Sequence, residues 1–221
     1  MVNFYAEWYN ITNGLEKYII ENEEINVNKT KKLIFESAIK IFSESGYRGA
    51  TMDDIAANAG LAKGTLYYHF ESKEEIFNFI VEEGIQILQS QIMEIQKEDI
   101  DPISKLIKII RTQLSFLYGS TYFFKVVMSQ LWGHEKRQDE LREKIRNYIK
   151  EIEVDIKEAM NRNEIEQADS EFMSYEFFGT LCSAAVYESI HIERVNLESI
   201  IESTIRFTLK GLGIEKIKDF H

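Results

Sequence analysis

Apolar side chains recur along this chain at helical rather than strand spacing. Between about Lys29 and Ser45, Ile34, Ala38, Ile41 and Phe42 stand at i, i+4, i+7 and i+8, one face of an amphipathic helix. Gly46 follows as a C-terminal cap and predicts the stop. Thr51-Met52-Asp53-Asp54 has the form of a capping box, with Asp54 in place of the usual Glu. It opens a second helix whose buried face is Ile55, Ala56 and Ala59 and which Gly60 ends. A short third helix is predicted over about Lys63 to His69. A fourth starts near Ser72, carries Lys73, Glu74 and Glu75 in its first turn, and continues past Leu88.

Five further helices are predicted downstream. Asp101 caps and Pro102 opens one that runs to about Tyr118. The next covers about Tyr122 to Trp132, and a long polar-faced one runs from Glu135 to about Asn161. Asp169 or Ser170 caps a helix reaching about His191, and Asn196 caps the last, which ends at Gly211. Residues 1–26 carry Phe4, Tyr5, Trp8, Ile11, Leu15, Tyr18 and Ile19 at amphipathic spacing, broken near Asn13-Gly14. An arm packed on the body or on a partner chain is expected there rather than a DNA-contacting arm, because Lys17 is its only cation. No stretch alternates with period two over a strand's length, so the expected class is all-α.

Composition narrows the picture. The single proline among 221 residues leaves the helical ladders uninterrupted. Cys182 stands alone, so no intrachain disulfide can form, and a reducing cytoplasm is the expected compartment. No apolar run reaches the roughly 18 residues of a membrane span, and the acidic N-terminal stretch lacks the basic region of a signal peptide. The net charge of −11 argues against indiscriminate nucleic-acid binding but allows a local basic face. Residues 28–88 carry a net charge of −2, which becomes +2 if the segment ends at Lys73. A local basic face is therefore expected to end near Lys73.

Two short helices joined by a tight glycine-containing turn make a helix-turn-helix. Ala56 and Ala59 are small enough for the helices to cross, and Leu66 supplies a buried anchor on the second of them. The run Gly46-Tyr47, Thr51 to Ala56, Ala59-Gly60, Lys63-Gly64-Thr65-Leu66-Tyr67-Tyr68-His69-Phe70 and Ser72-Lys73-Glu74 resembles the signature of TetR/AcrR-family transcriptional regulators over about 60 residues.

The resemblance implies an N-terminal three-helix DNA-binding domain over 28–88, with its helix-turn-helix motif at 51–70. It also implies a helical-bundle ligand-binding and dimerisation domain over 89–221, after an extension at 1–27. About nine helices are expected besides that extension. By the same resemblance, Lys63 to His69 is the recognition helix. Lys63, Tyr68, His69 and Lys73 occupy phosphate-contacting positions, and Thr51 does the same from the start of the second helix. Gly64, Thr65 and Tyr67 stand where base edges and thymine methyls are reached. One position departs from the pattern: Ala62 replaces the hydroxyl residue many relatives carry before the Lys-Gly pair, removing a cap worth about 1 kcal/mol.

The implied function is a ligand-released homodimeric repressor of a pseudo-palindromic operator, with a small-molecule effector of unknown identity, no cofactor and no membrane partner. Family pockets diverge, so no effector-binding residue follows. Phe116, Tyr122, Phe123, Met128, Trp132, Met160, Tyr175, Phe178 and Tyr187 either line a cavity or fill a bundle core. Leu181, Ala184, Ala185 and Ile190, with Ile200, Ile201, Ile205 and Leu209, make apolar faces that either the chain itself or a second copy must cover. The resemblance implies a four-helix dimer contact there.

Two other classes compete. An enzyme on a helical bundle finds little support: Cys182 sits beside Leu181 and Ala184 as a buried thiol would. The four histidines His69, His134, His191 and His221 lack metal-ligand spacing. A helical small-molecule-binding or interaction protein without DNA binding is the remaining alternative, and the acidic balance makes it conceivable.

Overall fold

The computed structural model describes residues 25–191 and 196–214, with side chains from Lys29 onward; the amphipathic pattern expected over 1–26 lies outside the described residues, apart from the helical backbone at 25 and 26. Within them the regular structure is entirely helical. The elements are α1 (Ile25–Gly49), α2 (Met52–Asn58), α3 (Lys63–His69), α4 (Lys73–Gln96), α5 (Pro102–Gly119), α6 (Thr121–Gln130), α7 (Lys136–Asn161), α8 (Ser170–Ile190) and α9 (Leu197–Gly211). The boundaries fall within about four residues of those expected from the sequence, with α1 running past the expected stop at Gly46 to Gly49. Gly46 interrupts α1 with φ 69° and ψ 163°, a conformation that costs an L side chain dearly. Thr51 and Asp54 form the reciprocal capping box. The Asp101, Asp169 and Asn196 side chains accept from the backbone N–H groups of Ser104, Phe172 and Ser199. Ala62 opens α3 with no side-chain cap.

The chain divides into two compact units. The first comprises residues up to Ile87 together with 119–143; the second comprises 88–118 and the residues from Lys144 onward. Helices α4 and α7 each contribute residues to both.

In the first unit α1 lies on α2 and α6. Ile34, Ala38 and Phe42 of α1 and Ile55, Leu66, Ile76 and Phe77 of α2, α3 and α4 are all closed to solvent. The buried Ser37 hydroxyl donates to the Ile55 carbonyl at 2.8 Å and ties α1 to α2. Phe42, Tyr47 and Phe77 pack ring on ring, with centroids 5.4–6.2 Å apart. Gly84 lets α6 touch the α4 backbone, since a Cβ there would overlap the Phe123 ring.

The second unit buries Leu106, Ile109, Ile110, Ile152, Ile156 and Phe177. A polar seam runs through it. The Tyr148 hydroxyl donates to Gln113 Oε1 at 3.1 Å, and Gln113 Nε2 donates to the Leu88 carbonyl at 3.2 Å. Burial pushes the Tyr148 phenol up, and it lifts the Cys182 thiol to about 12, so the cysteine is an inert structural thiol at neutral pH.

Asp155 is the exposed weakness of this core in energetic terms, although its side chain is only 1% accessible. One carboxylate oxygen accepts from Gln96 Nε2 at 2.9 Å, while Oδ1 accepts no hydrogen bond. Burial raises its pKa, outweighing the Gln96 bond and the Lys105 charge that lower it. A carboxyl whose folded pKa is raised contributes stability below its unfolded value of about 3.9, and this is lost as pH rises through the folded value. Asp155→Asn is therefore expected to raise Tm at pH 7. The advantage should shrink as pH falls through the raised folded value toward the unfolded value of about 3.9. Thermal melts of both proteins across that range check this; a pH-independent difference would place the ionised carboxylate at no disadvantage.

Candidate nucleic-acid interface

Helix α3, the recognition helix that the resemblance implies, is seven residues long and buries one side chain, Leu66. Everything else on it is arranged around that anchor. Gly64 is open, Thr65 and His69 are half-buried, and Tyr67 and Tyr68 both face solvent, Tyr68 with 83% of its surface accessible. Adjacent helix positions diverge by about 100°, so the two rings present a broad aromatic edge rather than a shared core contact. The Tyr68 ring stands edge-on to the His69 imidazole, with centroids 5.2 Å apart. Phe70, just beyond the helix, is buried against Phe79.

The scaffold under α3 is set by the turn before it. Gly60 takes φ 67°, which lets the chain reverse between α2 and α3, and the Leu61 amide donates back to the Ala56 carbonyl at 2.9 Å. Ile55 and Ala56 are buried as expected, whereas Ala59 is only half-buried at the turn. Thr51 caps α2: its hydroxyl accepts from the Asp54 amide at 3.1 Å and donates to the Asp54 carboxylate at 2.6 Å.

The cations on this face have protein partners that the sequence did not disclose. The Lys63 ammonium pairs with the Asp53 carboxylate across the α2–α3 turn, and both side chains remain largely solvent-exposed. The hydrogen bond that Lys63 donates to Asp53 holds the Lys63 pKa above its ordinary value. Such a pair is worth little in water and is easily exchanged for a phosphate. Lys73 points inward: its Nζ donates to the Ala50 carbonyl at 2.8 Å and lies 4.8 Å from the Tyr47 ring centroid. It braces the loop that leads into α2. Arg48, on the same loop, pairs with Glu135 at 3.3 Å.

Of the large groups offered as cavity lining, Phe123 and Met160 are buried in different units, while Trp132, Tyr175 and Tyr187 are exposed. Two clefts of the second unit, one along Leu114, Leu117, Ala185 and Ile200 and one along Arg146, Ile149, Lys150 and Tyr175, each enclose about 10 Å³. That is room for about one water.

The expected dimer face needs a correction at the level of residues. Leu181, Ala184 and Ala185, with Ile201, Ile205 and Leu209, are buried within their own chain, and Ile200 is half-covered. Of that set only Ile190 is fully exposed. The uncovered apolar side of α8 is instead Phe172, Tyr175, Val186, Tyr187 and Ile190, with the exposed Gly179 and Ser183 between them, and α9 adds Phe207. These α8 positions recur at helical period, so the sequence carried the signal. It lay hidden because α8 is apolar nearly all round, and periodicity alone could not tell which side faces its own core.

Among the described residues, no group of three or more His, Cys, Asp or Glu side chains is placed to hold a metal ion, and no helix is long and apolar enough to cross a membrane.

Comparison with known proteins places this geometry. Residues 34–80 match the family described as bacterial regulatory proteins, tetR family. The chain is 48% identical over 52 residues to IcaR of Staphylococcus epidermidis, an HTH-type negative transcriptional regulator of a biofilm operon. That match covers 24% of this chain and 28% of IcaR, so it spans about a quarter of each protein. A Clostridium perfringens protein, described as a candidate fatty acid metabolism regulator, superposes with a TM-score of 0.77 at 44% identity over 84% of this chain and 100% of that one. The transcriptional regulator FadR of Bacillus subtilis, solved with stearoyl-CoA, shares the fold at a TM-score of 0.71 and 22% identity, over 81% of this chain and 98% of that one. With a recognition helix anchored on Leu66, a matching family signature and a relative similar over its whole length, this chain belongs to the TetR family of bacterial regulatory proteins.

Proposed function

We propose that this chain is a homodimeric transcriptional repressor that binds a pseudo-palindromic operator in the cytoplasm and is released from it by a fatty acyl-CoA. The observation that carries the DNA-binding half is the form of α3: one buried leucine holds the helix while Lys63, Gly64, Tyr67 and Tyr68 are left to solvent. Lys63, Tyr68, His69 and Thr51 are assigned to phosphates, Gly64, Thr65 and Tyr67 to bases, and Lys73 to the edge of the DNA face. Lys73 must give up a backbone carbonyl to reach a phosphate.

The effector half is supported by the relatives: the 44%-identical neighbour is described as a candidate regulator of fatty acid metabolism, and the B. subtilis regulator was solved with stearoyl-CoA. Neither of the two clefts among the described residues, at about 10 Å³ each, can admit an acyl chain unless the helices lining it part. Such parting is the kind of change by which a ligand favouring one conformer shifts an equilibrium. Helix α4, which carries residues of both units, is the proposed lever. The second copy is assigned to the uncovered side of α8 and to α9.

Operator titrations at several salt concentrations test this reading. Lys63→Ala is expected to weaken binding to every duplex and to reduce the salt slope by about one. Asp53→Asn is expected to act in the opposite direction, because it removes the anion that competes with phosphate for Lys63 and repels the backbone. An unchanged affinity and slope for Lys63→Ala would remove Lys63 from the interface. Release of the duplex by stearoyl-CoA, and not by free coenzyme A, checks the effector class.

A further inference from the structure

The α6–α7 turn of the first unit holds a cation that the DNA-binding reading does not use. Arg137, the second residue of α7, has a side chain only 3% accessible. Burying a guanidinium is costly unless its donors are matched, and here they are. It donates to Gln130 Oε1 at 2.9 Å and to Glu135 Oε2 at 2.7 Å. Its centre lies 3.7 Å from the centroid of the Tyr47 ring and 5.6 Å from that of Phe77. The turn carrying it is itself pinned: Gln138 donates to the Trp132 carbonyl at 2.7 Å and accepts from the Glu135 amide at 3.0 Å.

Tyr47 is where this network meets the reading head. It sits in the 46–50 loop, the link between the break at Gly46 and the α2 cap at Thr51, which is a single helical turn to Gly49 followed by Ala50. The ammonium of Lys73 shares the same ring, and the loop's Ala50 carbonyl receives that ammonium. The next residue, Arg48, is paired to Glu135 of the same turn. The loop that decides where α2 begins is therefore held from the α6–α7 turn at two adjacent residues, by one buried stacked contact and one exposed ion pair. An exposed pair contributes little; a desolvated cation–π contact contributes more.

We propose that Arg137 is a positioning residue for DNA recognition: by stacking on Tyr47 it fixes the 46–50 loop, and with it the start of α2 and the site of the Lys73 ammonium. This rests on the DNA-binding reading above. Arg137 touches no DNA in this account. Its effect on affinity must pass through Tyr47 and must leave the number of phosphate contacts unchanged.

The experiment uses full-length protein and a duplex recovered by wild-type selection from a random-sequence pool. Affinity is measured over a salt series for Arg137→Gln, Tyr47→Leu and the double variant, at a temperature well below every Tm. Each single change is expected to weaken binding by up to about thirty-fold, the scale of a desolvated cation–π contact, with the salt slope unaltered. The double variant should bind no more weakly than the worse single one, because both remove the same contact. Arg137→Lys keeps the charge and loses the planar stack; it is expected to show the same loss, and it serves in place of Arg137→Gln if that variant does not fold.

Wild-type affinity in folded variants, or losses that multiply in the double variant, would overturn the proposal. A slope reduced by about one would also do so, by making Arg137 a phosphate contact. Recovery of no duplex by the wild type would instead overturn the regulator reading itself, and would be seen before any variant is made.

Discussion

Leu66→Ala is expected to abolish operator binding while leaving most of the helical signal in place. Leu66 is the only buried side chain on α3 and is wholly inaccessible to solvent. Truncating a fully buried leucine costs about 2–5 kcal/mol, the spread depending on how far the surroundings collapse. A seven-residue helix has no stability of its own to draw on, and α3 begins at Ala62 without a side-chain cap. The loss therefore falls on the docking of the recognition helix. Urea unfolding should show the destabilisation, and a gel shift should show no complex at concentrations that saturate the wild type. Tyr68→Ala provides the contrast. Its ring is almost fully exposed, so stability should hold while affinity falls. A Leu66→Ala protein that binds DNA normally would mean that α3 is held by something other than its one anchor.

The second large effect concerns assembly. Phe207→Glu is expected to convert a dimer to a monomer. Phe207 keeps 71% of its surface accessible in the single chain, on the helix α9 that packs against α8, whose apolar stripe has no cover of its own. In a two-fold interface every residue occurs twice, so one substitution buries two uncompensated carboxylates, at about 3–5 kcal/mol each. Sedimentation or light scattering at micromolar concentration reads the mass directly. Loss of the dimer should also carry away most operator affinity, because two half-sites are then bound independently. Val154→Glu is the control: Val154 is an exposed apolar residue on α7 rather than on α8 or α9, and its replacement should leave the mass unchanged. A dimeric Phe207→Glu protein would move the interface elsewhere.

How far the sequence reached differs from element to element, and for physical reasons. The positions of α2, α3 and α5 were readable because caps and glycine breaks act over three or four residues. Thr51 with Asp54, Gly60, and Asp101 ahead of Pro102 each specify a local backbone geometry whatever lies around them. Leu66 as a buried anchor also followed from the motif, and helix spacing kept Tyr67 and Tyr68 from sharing one core, but that both stay exposed was decided by packing. The pairing of Lys63 with Asp53 did not, because it crosses a turn whose path depends on Gly60. Lys73 shows the limit most plainly. Its place after Ser72 marks it as a DNA-edge lysine by resemblance, yet its ammonium braces the Ala50 carbonyl and the Tyr47 ring.

The α8 helix shows the same limit in the hydrophobic pattern. Its apolar residues circle the helix, so composition announced a buried element but not which side its own chain buries. Packing chose Leu181, Ala184 and Ala185 for the inside and left Phe172, Tyr187 and Ile190 outside, exchanging the residues the sequence pattern had suggested for a partner. By itself, then, the sequence determined the all-helical class, the helix boundaries and the helix-turn-helix motif, because each rests on interactions within a few residues of chain. Tertiary structure alone decided which lysine stays at the surface, which face of α8 is left uncovered, and that Arg137 stacks on Tyr47. Those outcomes join residues 10 to 90 positions apart, and only the packed backbone brings such residues within reach of one another.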